Sequence, residues 1–319
     1  MKGNNIMSKE ESSFSNSVFE EAWWLDLVAT DRWSEVTVTE NSKVVARMPY
    51  VLDKNKIVMP SLTQTLGPWI TPEYREKQNG NKHLSKQKEI INQLLEQLPV
   101  YKSFNMVFDS SNEYILPYRW HGFRYMPEFS YRLRDLGDMD TLYKSFNKTV
   151  KKNIKSARNK TTIAEDSKPE DLLGLLNKTF EAQKRKNPID SNLIIRIMEK
   201  AVNRGNGKII IAKDCDGNIH SGAFLLYDSR ICYYLLGGSD SRFRSSGAQS
   251  LVLWEAIQFA ATVSAQFDFE GSNVESIENF FRQFNGDRVI NYNVMNQSLL
   301  GECKEILKPR IKRMLGYKI

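Results

Sequence analysis

The sequence predicts a mixed α/β (α+β) fold: two tandem domains of like topology, each around a mixed, mostly antiparallel sheet. Three observations carry this. Apolar residues recur with period two in several short runs bounded by turn residues. The same order of strands and helices runs through each half of the chain. Between the halves lies "KSFNKTVKKNIKSARNK" (144–160), with seven cations and no acid. At 319 residues the chain is long enough for about two domains of ~100–200 residues each. The expected boundaries are 15–137 for the first domain, 138–160 for a basic connecting helix and 161–319 for the second.

In the first half, "EVTVTENSKVVARMPYVLDKNKIVMP" reads as three strands. Residues 84–98 then place Ile90, Ile91, Leu94, Leu95 and Leu98 on one helix face. "FNMVFDSSN" is a strand with Phe104, Met106 and Phe108 on one side. A short apolar segment reaches Gly122, and "EFSYRLRDL" is the closing strand. The connecting segment sets Leu142, Phe146, Val150, Ile154 and Ala157 in an apolar stripe, which predicts one amphipathic helix near 140–158.

The second half opens with a short strand near 161–164 and helices near 169–186 and 190–203. In "GKIIIAKDCDGNIHSGAFLLYDSRICYYLLGGS" three apolar runs are separated at Asp216-Gly217 and at 227–230, a three-strand meander. Residues 249–263 are apolar nearly all round, as a buried helix is. Phe267 and Phe269 then alternate with Asp268 and Glu270, the period of a strand. Ser272 and Glu275 have capping-box spacing, Val274, Ile277, Phe281 and Phe284 keep helix spacing, and Gly286 suits the C′ position. A final strand spans about 289–295. "FNMVFDSSNEYILPYRWHG" and "FDFEGSNVESIENFFRQFNG" run in parallel, which reads as a duplication.

Composition is that of a globular protein, with 41% hydrophobic and 26% charged residues, and excludes a disordered chain. The net charge of +7 and pI near 9.1 favour anionic partners. The seven cations of residues 144–160 equal that whole excess. They point to a polyanion or to a solvated helix face. Cys215, Cys232 and Cys303 are too few and too far apart for a disulfide framework or a zinc site; Cys232, in an apolar run, is expected to be packed. No metal site is expected. The N-terminus lacks an apolar core and no run reaches the ~18 apolar residues of a membrane span, so a cytoplasmic protein is expected, with contact at the inner membrane face left open.

No nucleophile elbow, metalloprotease helix or paired Cys-x-x-Cys occurs. His83, His121 and His220 are scattered and expected to be structural, His220 at the surface. Direct acyl transfer would need neither metal nor protein nucleophile, only a base for the amine and donors for the oxyanion. Asp268 and Glu270 stand near a strand's C-terminal end, where ligands gather in α/β sheets. They are either catalytic or the wet face of a strand. Tyr234, Ser239 and Arg282 are candidate substrate contacts from neighbouring elements. In "LGPWITPEY" Trp69 and Tyr74 are expected on a substrate loop or plugging a core.

The order β-β-β-α-β-α-β with "FDFEGS" resembles the GCN5-related N-acetyltransferase (GNAT) fold. The duplication, with "VKKNIKSARNK", "TFEAQKRK", "YYLLGGSDSRF" and "FDFEGSNVESIENFFRQFNG", resembles the Fem-type peptidoglycan aminoacyltransferases and their acyltransferase relatives over about residues 15–315. That resemblance implies transfer of an acyl or aminoacyl group to an amine on a cell-envelope precursor or sugar. The donor would be aminoacyl-tRNA or acyl-CoA, with no cofactor held permanently, and the acceptor amine would in Fem enzymes be lipid-linked. For such a transfer Glu270 and Asp268, by their place at the strand end, are the candidate catalytic pair, and Lys148, Lys151, Lys152, Lys155 and Arg158, by their charge, are the candidate contacts to a polyanionic donor or acceptor; the resemblance adds Arg244 and Gly247 as donor-binding. In Arg244-Ser245-Ser246-Gly247-Ala248-Gln249 the last residue departs from the Gly or Ala of the coenzyme-A loop, and no coiled-coil insertion is present. The competing expectation is a non-catalytic protein holding RNA or an anionic membrane through the basic helix and the tail residues Lys304, Lys308, Arg310, Lys312 and Arg313.

Overall fold

Two tight hairpins start the first sheet. β1 (Trp33–Glu40) turns through Asn41-Ser42 into β2 (Lys43–Asp53), which turns through Lys54-Asn55 into β3 (Lys56–Val58). Both turn pairs have positive φ at both residues, the backbone that matches strand twist in two-residue hairpins. The structure is a computed structural model that describes residues 14–76, 81–271 and 274–296. It groups into two units, one holding the described residues up to Glu128 together with Ile290–Asn296, the other Phe129–Val289.

In the first unit α1 (Ala22–Val28) precedes the hairpins and buries Trp23, Trp24, Leu25 and Val28. β4 (Trp69–Ile70) pairs with β2. α2 (Pro72–Arg75) and α3 (Lys82–Glu96) follow, then β5 (Ser103–Phe108), α4 (Leu116–Trp120) and β6 (Arg124–Leu133), which ends in the second unit. α3 buries Ile90, Ile91 and Leu94, as its spacing predicts.

In the second unit the expected single helix near 140–158 is two, α5 (Met139–Ser145) and α6 (Lys148–Arg158). The break has a local cause: Asn147 adopts extended backbone and its Oδ1 accepts from Thr149 N, an N-cap that restarts the helix. β7 (Thr162–Ile163), α7 (Pro169–Ala182) and α8 (Ser191–Arg204) come next. The meander is β8 (Gly207–Lys213), β9 (Ile219–Tyr227) and β10 (Ile231–Ser239), followed by α9 (Ala248–Val263), β11 (Gln266–Asp268), α10 (Glu275–Phe281) and β12 (Asp287–Asn296). α9 buries Leu251, Val252, Leu253, Ala256, Ile257 and Ala260, and α6 adds Val150, Ile154 and Ala157 to the same core. Full burial of each large side chain contributes about 1.5–3 kcal/mol. The helix after β11 ends at Asn285, which takes the left-handed conformation expected of Gly286; asparagine tolerates it through its short polar side chain. Ser272, the expected capping residue, lies outside the described residues, as do Cys303 and the basic tail.

Both units use one pattern. In each, the last meander strand pairs in parallel with the strand after the helix, β3 with β5 and β10 with β11. Each unit then takes its next strand from the other half of the sequence. β12 pairs antiparallel with β5, while β6 pairs antiparallel with β11 through Phe267↔Leu133 and Asp268↔Arg132. The described residues group with boundaries at 128/129 and 289/290, where 137 and 160 were expected, and the basic segment belongs to the second unit, with Val150, Ile154 and Ala157 in its core and its cations outside.

Candidate active site

The parallel pairing of β10 with β11 runs only from Ile231↔Gln266 to Tyr233↔Asp268. Beyond it the strands diverge. Phe269 N donates instead to Tyr131 O of β6 at 2.9 Å, while β10 continues to Ser239 paired with β9 alone. At the point of divergence β10 carries a bulge: Tyr234 faces Leu225 but Leu236 faces Phe224. Leu235 is therefore an extra residue in β10 relative to β9.

Asp268 is neither wet nor a spare carboxylate. It is 0% exposed, the most enclosed acid of the unit. Oδ2 accepts from Arg132 Nε and Nη2, each at 2.8 Å; Oδ1 accepts from Ser130 Oγ and, at 2.7 Å, from Glu270 N. These bonds tie β6 and the Glu270 turn to the end of β11. This burial corrects the expectation that it stands opposite the core. β11 ends at Asp268, so alternation does not carry through to Glu270.

Glu270 occupies a turn with φ of 58°, a conformation uncommon for a side-chain-bearing residue. The following Gly271 (φ 45°) lies so close to β6 that a Cβ there would fall 2.1 Å from Phe129 O, so only glycine fits. Glu270 Oε1 is buried and has no hydrogen-bond partner among the described residues. Burial, and then the charge of Asp268, push its carboxyl well above the usual carboxylate range. The two acids share a neighbourhood but differ in partners: Asp268 is bonded to Arg132, Ser130 and Glu270 N, and Glu270 Oε1 has no partner among the described residues.

Tyr234 lies in the core, edge-on to Phe281, with its hydroxyl over Gly237. Burial raises its proton affinity, so near neutral pH it can donate but not act as a base. Ser239 is half-buried, and its backbone N and O are both held by Thr179 Oγ1, at 3.0 and 3.1 Å. Arg282 is exposed, bonded to Asn279 and 3.9 Å from Glu278. Glu278 in turn accepts from Tyr131 OH at 2.5 Å. Trp69 is not on an exposed loop: it is buried in β4, edge-on to Phe14. Tyr74 donates to Glu40 at 2.9 Å and has Lys86 over its ring. Both are held by first-unit packing. His220, expected at the surface, is buried, 3.1 Å from Asp214 and stacked on Phe243 at 4.0 Å. His83 is also buried, while His121 is exposed. Cys232 is buried as expected.

The basic segment borders the start of α9. Lys148, Lys152, Lys155 and Arg158 are exposed; Lys151 is half-buried, with Nζ donating to Lys144 O at 2.7 Å. Arg158 faces Glu255 at 3.5 Å, and Lys160 reaches Ser245 O at 3.4 Å. Arg244 is exposed in the turn before α9. Gly247, with φ of 82°, is the N-cap of α9, and a Cβ there would meet Asn153 O at 2.5 Å. Ser246 Oγ accepts from Ala248 N at 3.2 Å. The structure thus brings Glu270 and Asp268 together at the end of β11, and Gly247 and the basic helix at α9, whereas Tyr234 of β10 packs in the core on Phe281. Sequence reading missed Ser130, Arg132 and the β10 bulge. The Gly237-Gly238 pair was the one hint of irregular backbone there.

The model of the acetyltransferase (GNAT) domain family matches residues 144–276, which lie within the second unit. The expected resemblance to GNAT and Fem-type proteins holds at the level of fold. The chain is similar to FemX, with 15% identity over 92% of this chain and 97% of that chain and a TM-score of 0.66. It is also similar to the C-terminal domain of a putative lysylphosphatidylglycerol synthetase from Agrobacterium fabrum, with 10% identity over 87% and 89% and a TM-score of 0.53. A conserved protein of unknown function from Bacteroides thetaiotaomicron is similar at 11% identity over 85% and 90%, with a TM-score of 0.53. No curated protein matches the sequence. Among the described residues no helix is long and apolar enough to cross a membrane.

Proposed function

We propose that this protein transfers an acyl or aminoacyl group from an activated carrier to an amine, at the diverging ends of β10 and β11. The observation that carries the reading is Glu270: an enclosed carboxyl oxygen without a partner, in a positive-φ turn two residues beyond the last β10–β11 pair. A group whose pKa lies well above the ordinary carboxylate range is matched to taking a proton from an alkylammonium near neutral pH. The amine nitrogen attacks the acyl carbon, the new C–N bond forms and the bond from that carbon to the carrier breaks. Glu270 takes the proton from nitrogen, and the bulge amides at 235–236 supply donors for the oxyanion. Asp268 does not touch the reacting atoms; through Glu270 N it fixes the turn.

Two features favour an aminoacyl-tRNA over coenzyme A as donor. Ser246 already occupies the Ala248 amide and Gln249 replaces a small residue, so the start of α9 offers fewer free amides to a pyrophosphate. The exposed Lys148, Lys152 and Lys155 suit a longer polyanion, with Arg244 beside them. One fold neighbour is named for lysylphosphatidylglycerol, a lysyl group on a lipid, and the Fem resemblance favours an envelope precursor as acceptor, which would place the work at the inner membrane face. The test offers radiolabelled aminoacyl-tRNA and acyl-CoA to the protein with candidate amines. Glu270→Gln is expected to lower turnover by roughly 10²–10⁴, the range for losing a general base. Wild-type turnover in that variant, or salt-sensitive binding of RNA or anionic vesicles with no transfer from either donor, would overturn the reading.

A further inference from the structure

Three of the large apolar side chains that the first unit leaves exposed fall within residues 116–126: Leu116 at 45%, Trp120 at 58% and Met126 at 55%. The same stretch, "LPYRWHGFRYM", holds Arg119 and Arg124, both exposed, and no acid. α4 opens it, and the helix is oriented from its inner side. Pro117 and Tyr118 are buried, with Tyr118 edge-on to Phe108 at 4.9 Å. Leu116 and Trp120, one turn apart, therefore share the outward side. A helix that needed only to close the core would carry polar residues there.

The exposed indole is held in place. Tyr114 stands edge-on to its ring at 6.4 Å, and Lys88 Nζ of α3 lies 5.1 Å from its centroid. His121 Nε2, next along, lies 2.8 Å from Asn92 Oδ1, a second tie between α4 and α3. A side chain already fixed loses little rotamer entropy when a partner covers it. The charges here are one-sided. Lys88 and Arg119 adjoin the indole, and Arg124 begins β6. Of the acids nearby in sequence, Glu89 pairs with Lys86 at 3.2 Å and Glu128 accepts from Asn293 Nδ2 at 2.9 Å, while Glu113 stands exposed ahead of the stretch.

We infer that this face docks on an anionic phospholipid surface. Trp120 and Leu116 enter at the headgroup level, and Lys88, Arg119 and Arg124 meet the lipid phosphates. An amphipathic ring beside aliphatic and basic side chains suits such an interface. A second copy of the same face is disfavoured, because it would set like charges against each other. The inference does not rest on the transferase reading, because every residue in it belongs to the first unit.

The test is flotation of the full-length protein with vesicles of phosphatidylcholine, alone or mixed with an equal part of phosphatidylglycerol, at low salt. Binding to the mixed vesicles is expected, with less to phosphatidylcholine alone. Lys88→Gln and Arg119→Gln should each weaken it about fivefold, the equivalent of ~1 kcal/mol per cation at an anionic surface. Trp120→Ser with Leu116→Ser, both exposed changes, should weaken it by about tenfold or more with the melting curve unchanged. Brominated lipid in the mixed vesicles should quench tryptophan fluorescence, and Trp120→Phe should remove that quenching, because Trp23, Trp24, Trp69 and Trp254 are buried. Changing Lys148, Lys152 and Lys155 to Gln should leave the quenching in place. Glu270→Gln should float as the wild type does, which separates a loss of docking from a loss of transfer. The inference is overturned if the mixed vesicles do not float the protein or if Trp120→Phe keeps the quenching. It is equally overturned if the α6 change abolishes binding while the serine pair keeps it, or if the serine pair dissolves a dimer seen by light scattering without vesicles.

Discussion

Replacing Asp268 by alanine tests whether the turn that carries Glu270 depends on a buried charge. The side chain is 0% exposed and accepts from Arg132 at 2.8 Å twice, from Ser130 and from Glu270 N at 2.7 Å. Arg132 is itself buried, at 6% exposed. Without Asp268 the guanidinium loses its counter-charge in a place water does not reach. Breaking a buried pair by removing one partner costs about 3–5 kcal/mol. A whole domain holds only about 5–15 kcal/mol, so the second unit should unfold far earlier while the first is unaffected. Urea unfolding followed by circular dichroism and by the fluorescence of Trp254, the second unit's single tryptophan, should show one transition displaced and one unchanged. Asp268→Leu combined with Arg132→Met should recover most of the loss, because it removes both charges and refills the space. A loss below about 1 kcal/mol for the alanine variant, or a double variant no better than the single one, would refute the claim that this pair holds the turn.

Three further outcomes follow from the same geometry. Glu270 has a raised folded pKa, so its contribution is fully present below the ordinary 4.5 and is lost as pH climbs toward the folded value; Glu270→Gln should therefore match wild-type stability near pH 4 and exceed it near pH 8 in thermal melts. Glu20, raised by burial from 4.5 to about 7, acts in the same sense in the first unit: the wild type should lose up to ~3 kcal/mol between those pH values, at ~1.4 kcal/mol per unit, and Glu20→Gln should flatten that decline. Gly247→Ala puts a Cβ 2.5 Å from Asn153 O on a backbone with φ of 82°, so it should cost at least ~1–2 kcal/mol and weaken donor binding, whereas changing Lys148, Lys151, Lys152, Lys155 and Arg158 to Gln should weaken donor binding alone, as added salt does to the wild type.

The sequence by itself determined what short-range pattern can encode. Alternation marked β1 to β3 and β8 to β10, helical period marked α3 and α9, and the repeated order of elements exposed the duplication, because each of these depends on neighbours within a few residues. Even the break before α6 was legible in principle: Asn147 is a capping residue set between two apolar positions of the stripe. The tertiary structure alone decided what depends on residues far apart in the chain. Nothing near Asp268 announces Arg132 and Ser130, which lie 136 and 138 residues away, so a carboxylate that alternation places on the wet side is in fact enclosed. The exchange of β6 and β12 between the units is likewise a matter of which edge each strand finds. Trp69 and His220 sit in polar stretches, yet packing partners from other elements bury them. The bulge at Leu235 leaves no mark in side-chain pattern, since it is an offset between β10 and β9. The residue types at the site were thus visible in one dimension. Their charge state, burial and roles came from the contacts that bring distant segments together.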